Sequence, residues 1–194
     1  MRLFVAVEIA PAVATAAAEL INNMRERALR LAPRSRITWV MADRLHITVR
    51  FIGHVDPDTA DVIRQALAPP LECDRFELTV AGVGTFPPEG PPRVVWAGLN
   101  EGRQTLTAIE EHVGTRLSGV GIGPEERPRY NPHLTLARVR EAGGLRSASL
   151  LEPVRDTMLG VTTVEAITLF ESRLSPRGPT YVALQKTAFS GVRL

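Results

Sequence analysis

Hydrophobic positions in this chain change period often, and each change marks a short element. Residues 1–8, Met-Arg-Leu-Phe-Val-Ala-Val-Glu, read as a first strand. From Pro11 to about Leu31 the alanine, leucine, glutamate and arginine content is that of a helix, with Pro11 suited to its first turn and Pro33 ending it. Arg36 to Val40 predicts a short strand, and residues 41–44 turn into another that runs from Leu45 to about Phe51. Asp56-Pro57-Asp58 caps a helix from about Thr59 to Ala68, which Pro69-Pro70 stops. Phe76 to Val80 and Arg93 to Leu99 alternate as strands, and the proline- and glycine-rich stretch Thr85 to Pro92 between them predicts an exposed loop, the plainest boundary between two halves. The second half predicts a helix from about Arg103 to Leu117, a glycine-rich loop over 118–124, a segment 125–130 leading into a strand from His133 to about Val139, and a turn at Gly143-Gly144. A helix follows from Ser147 to Leu159, which Pro153 interrupts. Strands Val161 to Phe170 and Thr180 to Phe189, joined by a long connection over 174–179, complete it. Many strands follow one another as hairpin partners, so the pattern favours an α+β fold with largely antiparallel sheets over a doubly wound one.

Two of these strands carry the same word. Leu45-His46-Ile47-Thr48-Val49 and Pro132-His133-Leu134-Thr135-Leu136 lie 87 positions apart, a little under half the chain. A strand sends alternate side chains to opposite faces, so each copy presents an imidazole beside a hydroxyl. In the first copy Arg44 and Arg50 fall on the face of His46 and Thr48, opposite Leu45, Ile47, Val49 and Phe51. In the second, Arg138 stands five positions beyond His133 and strict alternation puts it on the wrong side, unless the strand twists or bulges there.

Composition narrows the chemistry. The net charge is +2, which permits a phosphate-bearing partner without requiring one. Of 23 basic residues only Lys186 is lysine, so anion recognition falls to arginine, whose planar fork suits phosphate oxygens. Cys73, the one cysteine, sits between two acids and allows neither a disulfide nor a cysteine-based zinc cluster. No apolar run approaches the ~20 residues of a membrane span, and the first residues are too short and too interrupted for a secretory signal, so a cytoplasmic, membrane-free protein is expected. His54 at a strand end and His112 inside a helix are expected to face solvent.

Two imidazoles near neutrality can share one proton, one acting as base and the other as acid. That suits phosphoryl transfer at a strained cyclic phosphodiester, with threonine and arginine steadying the phosphate oxygens. A metal site would need a third ligand, such as Asp43 or Glu8, recruited by folding; the matched positions supply only two histidines and no carboxylate.

The paired motifs and their flanks resemble the 2H phosphoesterase superfamily, and more closely its RNA 2′,3′-cyclic phosphodiesterases, also called 2′-5′ RNA ligases. The likeness covers nearly the whole chain, including Arg2-Leu3-Phe4-Val5-Ala6, Trp39-Val40, Phe51-Ile52-Gly53, Gly84-Thr85-Phe86-Pro87, Arg93-Val94-Val95-Trp96, Ala137-Arg138 and Leu169 to Leu174. It implies one domain over residues 1–194 with two pseudo-symmetric lobes, antiparallel sheets flanked by helices, and the motif strands lining a central groove. It further implies hydrolysis of an RNA 2′,3′-cyclic phosphate end, or of a small cyclic nucleotide, to a 2′-phosphomonoester by a monomer that needs no cofactor or metal. Carried over, His133 activates water, His46 protonates the departing 3′ oxygen, and Thr48, Thr135 and Arg138 hold the phosphate. Relatives often place an aromatic or basic residue just before the second motif, where this chain has Tyr130, a candidate for stacking on a base. Reversible 2′-5′ joining of RNA ends and a non-catalytic RNA-end binder remain as alternatives.

Overall fold

The computed structural model describes residues 1–123, 130–176 and 178–191. Segment 124–129, into which the expected approach to the second motif falls, lies outside the described residues. In α1 (Pro11–Leu31), Val13, Ala17, Leu20, Ile21, Met24 and Ala28 recur every three or four positions and form the stripe that is buried. α2 (Pro57–Leu67) starts where Asp56 accepts hydrogen bonds from the Thr59 amide at 2.8 Å and the Thr59 hydroxyl at 2.7 Å, contacts that hold its carboxyl below the ordinary range. α3 (Arg103–Ser118) buries Leu106, Ile109, Val113 and Leu117. The helix expected to reach Leu159 ends early: α4 is Ser147–Leu151, because Pro153 cannot continue it.

The strands are β1 (Arg2–Glu8), β2 (Arg36–Trp39), β3 (His46–His54), β4 (Phe76–Phe86), β5 (Val94–Leu99), β6 (Leu134–Glu141), β7 (Met158–Val164), β8 (Ala166–Ser175) and β9 (Gly178–Ala188). All pairings between these strands are antiparallel, in one curled nine-stranded sheet of order β7-β4-β5-β6-β3-β1-β8-β9, with β2 added to β6. Three boundaries depart from the sequence pattern. Thr85 and Phe86, expected in a loop, prolong β4, where Thr85 pairs with Val95 and Phe86 with Val94. One expected strand over 161–170 is two, β7 and β8, whose partners lie at opposite edges of the sheet. The β8–β9 ladder closes further than expected, with Ser175 opposite Gly178.

The strand order is symmetric about its centre: β3-β1-β8-β9 on one side answers β6-β5-β4-β7 on the other. The helices cross this division. α1, from the start of the chain, packs on β7 and β6, whereas α3 packs on β3. Each half of the sheet is therefore covered by helices from both halves of the sequence, α2 packing on β9 beside α3 and α4 packing on β4 beside α1, and the buried side chains form one contiguous cluster. The proline-rich loop between Phe86 and Val94 thus separates two strands of one hairpin, not two independent units. Among the described residues, no helix is long and apolar enough to cross a membrane.

Candidate active site

The two motif strands are neighbours at the centre of the sheet, paired through a single pair, Ile47 with Leu134. Counting outward along antiparallel strands sets His46 across from Thr135 and Thr48 across from His133. Ile47, Val49, Leu134 and Leu136 are buried among the helices, and His46, Thr48, His133 and Thr135 are half-buried on the opposite face. Two imidazoles and two hydroxyls are so brought together, as the repeated word required.

Both histidines use the same local device. Nδ1 of His46 lies 2.9 Å from the carbonyl oxygen of Arg44, and Nδ1 of His133 lies 2.7 Å from that of Asn131. A carbonyl only accepts, so each Nδ1 carries the proton and each Nε2 is the atom left to face a substrate. Each ring also leans on aromatic neighbours. His46 stands 4.9 Å from Phe4 and 5.0 Å from Tyr181, edge-on to the latter; His133 stands 5.4 Å from Phe86, edge-on, and 6.4 Å from Trp96. Burial among these groups pulls both imidazoles below their ordinary pKa. The carbonyl contacts oppose that shift, and the positive charge of Arg138 adds to it.

The charge of Arg138 acts on both histidines because β6 bulges. Val95 pairs with Ala137 and Trp96 with Thr135, so β6 carries one extra residue there. Leu136 and Ala137 are consecutively buried, the alternation changes phase, and the exposed Arg138 emerges on the face of His133 and Thr135. A matching irregularity in β3 does the reverse. Val5 pairs with Arg50 but Ala6 with Thr48, and beyond the extra Val49 the Arg50 side chain turns to the helix face. There it forms an ion pair with Glu110 of α3, both side chains largely buried. The expectation that Arg50 shares the face of His46 is therefore corrected: a bulge moves it away, just as another brings Arg138 in. Arg44 lies against the β8–β9 hairpin, where a Cβ on Gly178 would come within 2.5 Å of its Nη1, and with Arg2 and Arg138 it is close enough to act on the Tyr181 phenol.

Several neighbours of the site were not assigned a role from the sequence. Phe4, Phe170 and Tyr181, on β1, β8 and β9, cluster beside His46, and the 47 % exposed Phe51 joins Phe4 at 6.2 Å. Phe86 and Trp96, 5.2 Å apart, stand beside His133. The Trp96 indole covers Gly84, where a Cβ would come within 2.3 Å of it. These residues sit on different strands, so no local pattern joins them; the family flanks contain Phe4, Phe51, Phe86, Trp96 and Phe170, but not Tyr181. Tyr130 is packed partly buried against the core, with its hydroxyl donating to the carbonyl of Thr48 at 2.9 Å. His54 is exposed as expected, but His112 is half-buried. Glu8, a conceivable third metal ligand, accepts a hydrogen bond from Thr168, and among the described residues no group of three or more His, Cys, Asp or Glu side chains converges.

Comparison with known proteins identifies the family. Residues 10–175 match the 2′-5′ RNA ligase superfamily. A protein of Aeropyrum pernix named RNA 2′,3′-cyclic phosphodiesterase is 38 % identical over 152 residues, covering 77 % of this chain and 85 % of its own, and a Thermotoga maritima protein of the same name is 30 % identical over 192 residues, covering 98 % and 97 %. Among solved structures, Escherichia coli LigT complexed with 3′-AMP superposes with a TM-score of 0.73 at 22 % identity over 97 % of this chain and 98 % of that one, a likeness of fold. With the paired motifs in adjacent central strands and most of its length matched, the chain belongs to the 2′-5′ RNA ligase superfamily of two-histidine phosphoesterases.

Proposed function

We propose that this protein hydrolyses RNA 2′,3′-cyclic phosphate ends to 2′-phosphomonoesters, without a metal, by acid–base catalysis between His46 and His133. The observation that carries the reading is that both imidazoles sit at the one junction of the motif strands, each with Nδ1 tied to a carbonyl and each within reach of the Arg138 charge. Relatives of similar length bear the name of this activity.

In the hydrolytic direction, Nε2 of His133 takes a proton from water as the water oxygen attacks phosphorus. The bond from phosphorus to the 3′ oxygen breaks, and His46 gives that oxygen its proton, leaving the phosphate on the 2′ oxygen. The lowered pKa values suit a neutral base but not, in the free protein, a protonated acid. The substrate's negative charge corrects this by favouring imidazolium at one of the two rings. Thr48, Thr135 and Arg138 hold the non-bridging oxygens, and each acid or base contributes roughly 10²–10⁴-fold. Since each half of the sheet supplies one histidine, residues 1–194 act as one two-lobed domain, and a cytoplasmic monomer contains the whole site.

The test is turnover of 2′,3′-cyclic AMP in excess chelator, with the product identified by phosphorus NMR. The expected product is the 2′-monophosphate, lost in His46→Ala and in His133→Ala. Activity abolished by chelation, or undiminished in both variants, would overturn the reading. Salt-sensitive RNA binding with no product would instead make the protein an RNA-end binder.

A further inference from the structure

Beyond Ile47 and Leu134 the motif strands part, and backbone groups that a longer ladder would pair need other partners. One residue from that pair, the Tyr130 hydroxyl donates to the Thr48 carbonyl at 2.9 Å. Burial, with the Glu110 carboxylate nearby, pushes the phenol far above its ordinary range, so it stays a donor at any working pH. Tyr130 stands three residues before His133 on the chain, and the residues between are fixed as well. Arg103 of α3 donates to the Asn131 side chain at 2.8 Å, and the Asn131 carbonyl accepts from His133. Two residues beyond Thr48, Arg50 is tied to α3 through Glu110. The entry to the second motif is thus bound to the first motif through one side-chain hydroxyl.

We propose that Tyr130 is a positioning residue for the reaction, one that holds the Thr48 carbonyl and so fixes the Thr48 hydroxyl relative to His133 across the seam. It touches no substrate. The physical reason is that, although β1 holds β3 and β5 and β2 hold β6, the two motif strands meet each other in one residue pair, which leaves room for a small pivot about it. A hydrogen bond one residue from the pivot, anchored on the chain that carries His133, resists that motion. The inference rests on the function proposed above. The competing account is a packing tyrosine whose ring fills space and whose hydroxyl is incidental.

Tyr130→Phe keeps the ring and removes the hydroxyl. On 2′,3′-cyclic AMP, well below the melting temperature of every variant, it should lower kcat about tenfold and change KM less than kcat, because Thr135 and Arg138 still hold the anion. In a Thr48→Ala background the same substitution should cost less than twofold, since the group it positions is gone. Wild-type kcat in Tyr130→Phe, or an equal loss in both backgrounds, overturns the proposal in favour of packing alone. A second readout needs no turnover: the ring-proton resonance of His133, assigned with His133→Ala, should move in Tyr130→Phe. An unmoved resonance overturns the proposal whatever the wild-type activity, whereas an inactive wild type with a moved resonance overturns only the proposed function.

Discussion

Gly84→Ala offers a sharp test of how the floor beneath His133 is built. Gly84 sits inside β4 without a positive φ, so an alanine backbone is comfortable there and only space is at issue. The space is taken: the new Cβ would lie 2.3 Å from Cζ2, 2.4 Å from Cη2 and 2.8 Å from Cε2 of Trp96, against ordinary carbon contacts of about 3.5–4.0 Å. Either strand or indole must give by more than an ångström. Overpacking of this kind costs about 1–3 kcal/mol, which for a chain of this length lowers the melting temperature by roughly 2–4 °C per kcal/mol. The indole stands 5.2 Å from Phe86 and 6.4 Å from His133, so an indole pushed off Gly84 should shift against both rings. Loss of activity should therefore accompany the loss of stability. In a Trp96→Leu background the sign should reverse, because Gly→Ala at a compatible site stabilises by about 0.4–1 kcal/mol through the unfolded chain. Thermal melting and turnover of the four proteins measure both effects. An alanine at 84 that costs the same with and without the indole would refute the steric argument.

Three further outcomes are expected. Arg138→Gln should raise KM for a cyclic phosphate at least tenfold, and by removing a positive charge that depresses both imidazoles it should move the acidic limb of the kcat/KM profile to higher pH; an unmoved limb would count against the bulge placing Arg138 beside them. Arg50→Met should behave oppositely, leaving KM unchanged but stranding the largely buried Glu110 charge at a cost of about 3–5 kcal/mol; a raised KM with an unchanged melting curve would return Arg50 to the site. Because burial lowers both histidine pKa values in the folded state, the unfolded chain binds more protons below about pH 6.5. Stability of the free protein should therefore be full above that pH and decline as pH falls through it, and added inorganic phosphate should offset the decline. Melting curves between pH 7.5 and 5 with and without phosphate check the sign.

Much was legible because it is local. Proline at the start of α1 and the Asp56 cap of α2 act within a turn or two, and the structure keeps each where the sequence puts it. The boundaries that moved are those set by a distant partner. Thr85 and Phe86 look like loop residues until β5 pairs with them, and Val161 to Val164 look continuous with β8 until β4 claims them for the far edge.

The sequence by itself determined that two His-x-Thr strands exist and that each presents an imidazole and a hydroxyl on one face, because a strand's alternation belongs to its own backbone. It also left arginine as nearly the whole stock of cationic side chains. Which arginine stands on the histidines' face was decided only in three dimensions. The bulges that bring Arg138 beside the histidines and turn Arg50 to Glu110 are mismatches between strands, not properties of either strand alone. The same holds for the single pair that joins the motifs, the aromatic rings around each imidazole and the hydroxyl that spans the seam, all contacts between residues far apart on the chain.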